Sequence, residues 1–364
     1  MPQVSVLMPV LNGGPFLRAA IESVLAQTHG DLELLVVDDG SSDGSPELAE
    51  SVGDARVIVI RNERRAGLSA ALNLALRRAR GELVARLDAD DVARPERIAR
   101  QVEFLRRHPE AALVGSQANL VDETGAGIGT VQRPCDEIAI RWYQQLDNAF
   151  IHSAVMFRKR EILDGVGGYD ESLRLCEDWD LWGRVLARHG AANLDEPLVD
   201  YRFSLASITG AIESSAAHPR RPLLQSITRQ LVVRHIAQTL GGDALPEAEL
   251  TLMTGYLLGV EGAALAAFLR AFERLRRRFV ARYPAAPAST DFHRTLARQF
   301  DAIAYRVTPP RRRSALRVYG AAAARGPHVL KFLPWSRALT LVALGRSGRD
   351  RLRHLRNASL ARIA

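Results

Sequence analysis

Residues 81–97 read GELVARLDADDVARPER. The apolar residues Leu83, Val84, Ala85 and Leu87 predict a buried strand over Glu82–Leu87. That strand delivers Asp88, Asp90 and Asp91 to its C-terminal end, and Pro95 then opens a helix running to Arg107. Three carboxylates this close repel one another and need a cation or a hydrogen-bonding ligand. Hard divalent metals take oxygen ligands, and Mg2+ keeps one or two carboxylates, waters and substrate phosphates. The Asp-X-Asp therefore has two readings: a metal–diphosphate site, or an acidic loop that caps the next helix.

Toward the N-terminus the same texture repeats. Val4–Met8, Leu32–Val37 and Arg56–Ile60 are near-continuous apolar runs, as expected of strands buried on both faces. Between them, Phe16–Gln27, a stretch from Pro46, and Ala66–Ala79 carry apolar residues at helical spacing. Alternation of this kind predicts an α/β fold, a mainly parallel sheet with helices on both faces. Ligands of such sheets bind outside the carboxyl ends of the strands. Three of those ends carry Asn12, the pair Asp38–Asp39, and the Asp88–Asp91 cluster. No GxGxxG follows the first strand and no GxxxxGK[ST] loop is present, so a glycine loop does not handle the phosphates.

Toward the C-terminus the pattern loosens. Strands are predicted over Ala111–Gly115 and His152–Phe157, helices over Ile138–Leu146 and Arg160–Leu163, and turns over Asp122–Gly129 and Gly165–Tyr169. Glu177 and Asp178 open a helix reaching Arg188 with Leu181, Trp182 and Val185 inside. Carboxylates in a first turn favour the helix dipole, so this pair is either a cap or a functional group. Trp179 and Trp182 are candidates for stacking on a sugar, with Trp182 the more core-like. Arg184 pairs with the Glu177–Asp178 carboxylates or contacts phosphate. His152 is either structural or a site residue.

The chain has 364 residues, enough for two domains, which we place at 1–210 and 211–364. Cys135 and Cys176 form no metal or disulfide spacing and read as small buried hydrophobes of a reducing compartment. No signal peptide is legible before the first strand. The net charge of +8 divides unevenly: residues 211–364 hold 26 Lys+Arg against 9 Asp+Glu, and the first 210 hold 23 against 32. A helical, Arg-rich second half suits an anionic partner or is simply a solvated basic surface. Leu250–Leu269 approaches the length of a spanning helix, but Thr251, Thr254 and Glu261 favour a packed one. Pro309–Ala364 mixes Arg311–Arg313, Arg317, Arg346, Arg349, Arg351, Arg353 and Arg356 with Leu330, Phe332, Leu333, Trp335 and Leu339–Leu344, an interfacial amphipathic texture. No nucleic-acid motif accompanies the charge.

Five blocks in order, VSVLMPVLNGG, LLVVDDGSSDGS, GLSAALNLAL, GELVARLDADD and GYDESLRLCEDWDLWGRV, cover the first 205 residues. Together they resemble the inverting glycosyltransferases of family 2, which have the GT-A fold. The resemblance implies a nucleotide-diphosphate sugar donor, UDP first and dTDP or GDP next, and a divalent metal, Mn2+ or Mg2+. It implies that Pro9, Val10 and Asn12 line the nucleotide pocket, that Asp39 bonds the base, and that Arg64 or Arg65 lies near the nucleotide. Asp88 is then the contact to ribose or to the metal's water shell, Asp90 the metal-facing carboxylate together with Asp91, and Asp178 the catalytic base supported by Glu177. Leu11 departs from the aromatic residue many members place on the base. The acceptor expected is a glycan or lipid-linked glycan, met by a cytoplasmic enzyme peripheral to the inner membrane face, as monomer or homo-oligomer. Outside this family, a sugar nucleotidyltransferase or a non-catalytic nucleotide-sugar scaffold fits some of the same residues. LNGGPFLR is a poor version of the former's loop.

Overall fold

The computed structural model describes residues 1–62, 64–204, 218–241, 245–254, 260–261, 263–308, 312–325 and 327–332. They form two compact units: Met1–Ile140 with Asn148–Leu224, and Arg141–Asp147 with the described residues from Gln225 onward. The expected boundary at 210/211 lies outside the described residues.

In the first unit the chain runs β1 (Val4–Val10), α1 (Leu17–Leu25), β2 (Leu32–Asp38), α2 (Ser45–Glu50), β3 (Val57–Arg61), α3 (Leu68–Arg78), β4 (Leu83–Arg86), β5 (Val92–Ala93) and α4 (Arg97–Arg107). It continues through β6 (Ala111–Val121), β7 (Gly127–Val131), α5 (Glu137–Gln144), β8 (Met156–Arg158), α6 (Glu177–Leu186) and β9 (Gly190–Arg202). One sheet takes the order β3-β2-β1-β4-β8-β6-β9-β5, with β7 beside β6. Strands β1 to β4 pair in parallel, β8 runs antiparallel to both β4 and β6, and β6 pairs in parallel with β9.

The buried polar pair Ser5 and Glu33, on neighbouring strands β1 and β2, is satisfied. Ser5 Oγ donates to Glu33 Oε1 at 2.6 Å and accepts from Gly81 N at 2.8 Å, while Arg80 closes an ion pair on Glu33. Position 81 requires glycine, because a Cβ there would lie 2.6 Å from Ser5 N and 2.8 Å from the Val4 carbonyl carbon. Backbone cannot yield as a flexible side chain can, so Gly81→Ala should cost on the order of 1–3 kcal/mol or more. Chemical denaturation checks this, and an unchanged midpoint is the adverse result.

The longest strand not foreseen is β9. Its Asp195-Glu196-Pro197 stretch is exposed and coincides with slips in the β6 pairing, so a turn-like composition sits inside a bulged strand. Strand β6 extends beyond Gly115 through Ser116, Gln117 and Asn119, whose side chains find partners in Gln117 O, Arg133 and Asp200. His152–Phe157 is not one strand. His152–Ala154 forms a 3-10 turn, where Ala154 N donates to Ile151 O, and β8 starts only at Met156.

The second unit is helical over the part of Arg221–Leu240 from Gln225 onward and over Glu247–Met253, Leu265–Arg282, Thr290–Arg306 and Arg312–Ala323. Phe272, Phe279 and Phe292 pack edge-on around Trp142, whose indole N–H donates to Gln299 Oε1 at 2.6 Å. Leu250–Leu269 is not a single helix, since helix ends at Met253 and resumes at Leu265 with the strand Val260–Glu261 between. Among the described residues no helix is long and apolar enough to cross a membrane. Leu333, Trp335, Leu339–Leu344 and the arginines from Arg346 onward lie outside the described residues.

Candidate active site

The C-terminal ends of β1, β2 and β4 bring the first group of expected residues together. Pro9 and Val10 are buried in the sheet, and Leu11 stands 37% exposed at the end of β1. Asn12 follows with a φ of 56°, a left-handed turn asparagine tolerates. It latches the first loop onto the second: its N–H donates to Ser41 Oγ at 2.8 Å and its Oδ1 accepts from Ser42 N at 2.9 Å. Asp39, itself buried, holds the loop before α3. Its Oδ1 accepts from Asn62 Nδ2 at 3.0 Å and Ala66 N at 2.8 Å, and its Oδ2 accepts from Gly67 N at 2.8 Å. Arg64 and Arg65 on that loop are exposed.

Beyond β4 the three carboxylates Asp88, Asp90 and Asp91 offer oxygens within 4.8 Å of one another, the one such cluster among the described residues. Burial and the charge of Asp88 push Asp90 up to about 6, and burial with both neighbours raises Asp91 as well. Asp91 Oδ1 accepts from Arg202 N at 2.7 Å, whereas its Oδ2 is buried with no hydrogen-bond partner. An orphaned carboxylate oxygen beside two more carboxylates is a donor set suited to a hard divalent cation. Asp88 is otherwise engaged: the buried Arg86 guanidinium clamps both its oxygens, and Ser153 Oγ accepts from its N–H at 2.9 Å. Asp90 and Asp91 are thus the residues that fit a metal directly.

Two residues that sequence reasoning passed over hold this loop. Arg202 at the end of β9 donates through Nε to Asp90 O at 2.9 Å and through Nη1 to Asp122 O at 2.7 Å, its guanidinium lying 4.3 Å from the Phe16 ring centroid. Arg97, wholly buried at the start of α4, donates to Arg86 O at 2.6 Å and Val155 O at 3.1 Å. Burial and the Arg86 charge push the Arg97 guanidinium down to about 9.

The second carboxylate station opens α6. Cys176, in a left-handed conformation with φ 60°, turns the chain into the helix immediately before Glu177 and Asp178. A non-glycine residue held there stores strain of about 1–3 kcal/mol, a feature that clusters at functional sites. Burial and Asp178 push Glu177 up to about 7, and burial raises Asp178 too. Asp88 contributes to the rise of Glu177, and Arg86 opposes the rise of both, so the two stations share one electrostatic environment.

Other expectations are met unevenly. Arg184 does not serve Glu177 and Asp178: it bonds Asp180 at 2.8 Å and the carbonyls of Val166 and Gly168 at 2.6 and 2.8 Å. Trp179 and Trp182 are both buried, and Trp182 packs against Phe150, His152, Phe157 and Tyr169. Cys135 and Cys176 form no disulfide and are half-buried rather than core. His152 lies at the second station, 4.0 Å from Asp178 and 2.9 Å from the Tyr169 hydroxyl.

A profile described as Glycosyl transferase family 2 matches residues 5–166. The protein named "Putative glycosyltransferase EpsE" of Bacillus subtilis (strain 168) is 32% identical over 238 residues, 64% of this chain and 81% of the relative. The amylovoran biosynthesis glycosyltransferase AmsE of Erwinia amylovora is 31% identical over 189 residues, 51% of this chain and 70% of the relative. Among solved structures, S. aureus TarS 1-349 in complex with UDP-GlcNAc has a TM-score of 0.54 over 94% of this chain and 90% of that one; at 17% identity the likeness is one of fold.

Proposed function

This chain is a glycosyltransferase of family 2 with the GT-A fold, and on that premise we propose that it transfers a sugar, with inversion, from a UDP-sugar to a hydroxyl of a glycan or lipid-linked acceptor. The observation that carries the proposal is the pairing of two carboxylate stations, Asp88–Asp91 after β4 and Glu177–Asp178 at the start of α6, around one buried cation, Arg86. Inversion in a single displacement needs one station at the leaving group and one at the attacking oxygen. The acceptor oxygen forms a bond to the anomeric carbon, the bond to the diphosphate breaks, and Asp178 takes the acceptor proton. Asp90 and Asp91 would hold a divalent metal, which when bound supplies Lewis-acid neutralisation of the departing diphosphate. Asp88, clamped by Arg86, faces the ribose side or the metal's water shell.

Asp39 favours a pyrimidine. An ionised carboxylate has about four acceptor sites, and Asn62, Ala66 and Gly67 take three. One site remains, on Oδ2, for a base that offers a single N–H between carbonyls, as uracil does. Guanine offers two adjacent donors, and the second would be left unpaired at about 1–3 kcal/mol. Calorimetry should therefore find UDP at least tenfold tighter than GDP; equal or tighter GDP binding overturns the UDP assignment. Leu11 supplies an apolar wall beside the base, and Pro9, Val10, Asn12 and one of Arg64 and Arg65 complete that pocket.

The name of AmsE supports placing the reaction in polysaccharide assembly. We assign catalysis to residues 1–210 and acceptor or membrane-surface contact to the basic residues 211–364, supported by their charge excess.

A further inference from the structure

Asn148 lies in the loop before the 3-10 turn at His152 and was not singled out by its sequence context. Its Nδ2 donates to Asp178 Oδ2 at 2.7 Å, and its Oδ1 accepts from Phe150 N–H at 3.2 Å, which fixes which way the amide faces. The other carboxylate oxygen of Asp178 accepts from Trp179 N–H at 2.8 Å. Both oxygens thus have one fixed donor each, and lone pairs remain for an incoming hydroxyl.

His152 is the neighbour that would replace Asn148 in this task if it were charged. Its Nδ1 is 4.0 Å from Asp178 Oδ2, close enough for an ion pair. Burial and the Arg86 guanidinium hold the imidazole well below its ordinary value, which favours the neutral ring. The Tyr169 hydroxyl, 2.9 Å from Nε2, and the edge-on Trp182 ring fix the imidazole as a neutral wall. The other charged groups acting here are Arg86 from β4, Glu177 on the same helix, and Asp88, which acts on Glu177. Arg86 is committed to Asp88 by its two-pronged contact. Among the described residues, the side chain that donates to the Asp178 carboxylate is the amide of Asn148.

We propose that Asn148 is the positioning residue of the catalytic base, its amide holding the Asp178 carboxylate in one orientation and in its ionised form. The inference rests on Asp178 being the base. A hydrogen bond to the charged form of an acid favours that form, so removing it leaves a buried carboxylate that takes up a proton and turns away from the acceptor.

The test is a titration of the full-length protein carrying 13C at the aspartate carboxyl carbons, with the Asp178 signal assigned by its disappearance in Asp178→Asn. Asn148→Ala should move the Asp178 midpoint upward by about one pH unit or more, a tenfold gain in proton affinity. Asn148→Ser, which keeps a short donor and disturbs packing less, should fall between the two. In parallel, UDP release from a UDP-sugar panel, with water taking the acceptor's place, should show its acid limb displaced by the same amount, with turnover recovered at high pH. A midpoint and acid limb unchanged in both variants overturn the role of Asn148. If the midpoint moves but Asp178→Asn still releases UDP at the wild-type rate, the base assignment falls, and the positioning role falls with it.

Discussion

Asp178→Asn should abolish sugar transfer, lowering kcat by ~10²–10⁴-fold, the usual contribution of a positioned general base, while UDP binds as before. The amide keeps the size of the carboxylate, so the loop at Cys176 and the packing of α6 are undisturbed. Asparagine cannot take the acceptor proton, and it keeps only one of the two acceptor oxygens that the Asn148 amide and the Trp179 N–H occupy. A nucleotide-sugar scaffold would lose nothing in the same variant. The pH dependence carries a sign. Burial raises Asp178, so its basic form is lost at a higher pH than an ordinary aspartate's, and kcat/KM should fall as pH drops through that raised value. Glu177, pushed up to about 7 by burial and by Asp178, holds its proton below neutrality. Glu177→Gln mimics that neutral state and should be mild near pH 6, unlike Asp178→Asn at any pH. A Glu177→Gln enzyme as dead as Asp178→Asn at pH 6 would contradict the supporting role given to Glu177.

Asp90→Asn should separate stability from function. Asp90 is raised from the ordinary 3.8 to about 6 by burial and the charge of Asp88. The folded state therefore binds more protons than the unfolded chain between those values, and stability falls as pH rises through them. At pH 7.5 the metal-free protein bears that repulsion in full. Removing one of three clustered charges should raise the melting temperature of the metal-free protein by a few degrees, on the order of 1 kcal/mol. The same variant should lose the stabilisation that Mn2+ gives together with nucleotide. A variant that melts lower than wild type without metal would mean the carboxylate is held by partners rather than strained by neighbours.

Much of the architecture was legible because buried parallel strands announce themselves as apolar runs. β1 to β4, their helices, and the clustering of Asp39, Asp88, Asp90 and Asp91 at strand ends follow from that texture alone. What was not legible depends on partners distant in sequence. Arg86 interrupts an apolar run, yet it is buried: its guanidinium pairs with Asp88 and its carbonyl accepts from Arg97 at the start of α4. Arg202 closes a strand whose Asp-Glu-Pro bulge reads as a turn, and its bonds reach Asp90 and Asp122, more than 70 residues away. Asn148 sits in a loop with no periodicity, 30 residues before the carboxylate it holds. Position 184 was misjudged for a related reason: Asp180 one turn earlier and two loop carbonyls satisfy its arginine, and neither carbonyl has a signature in the sequence.

The most direct test of the central claim, a nucleotide-sugar site whose leaving group is met by Asp90 and Asp91, is thermal melting of wild type and Asp90→Asn with UDP or GDP, each with and without Mn2+. UDP at 100 times its Kd should stabilise wild type by ~2.7 kcal/mol, a shift of several degrees, strengthened by Mn2+ and larger than that given by GDP. In Asp90→Asn the Mn2+ increment should vanish. A UDP shift of equal size with and without Mn2+, and in both proteins, would contradict the account.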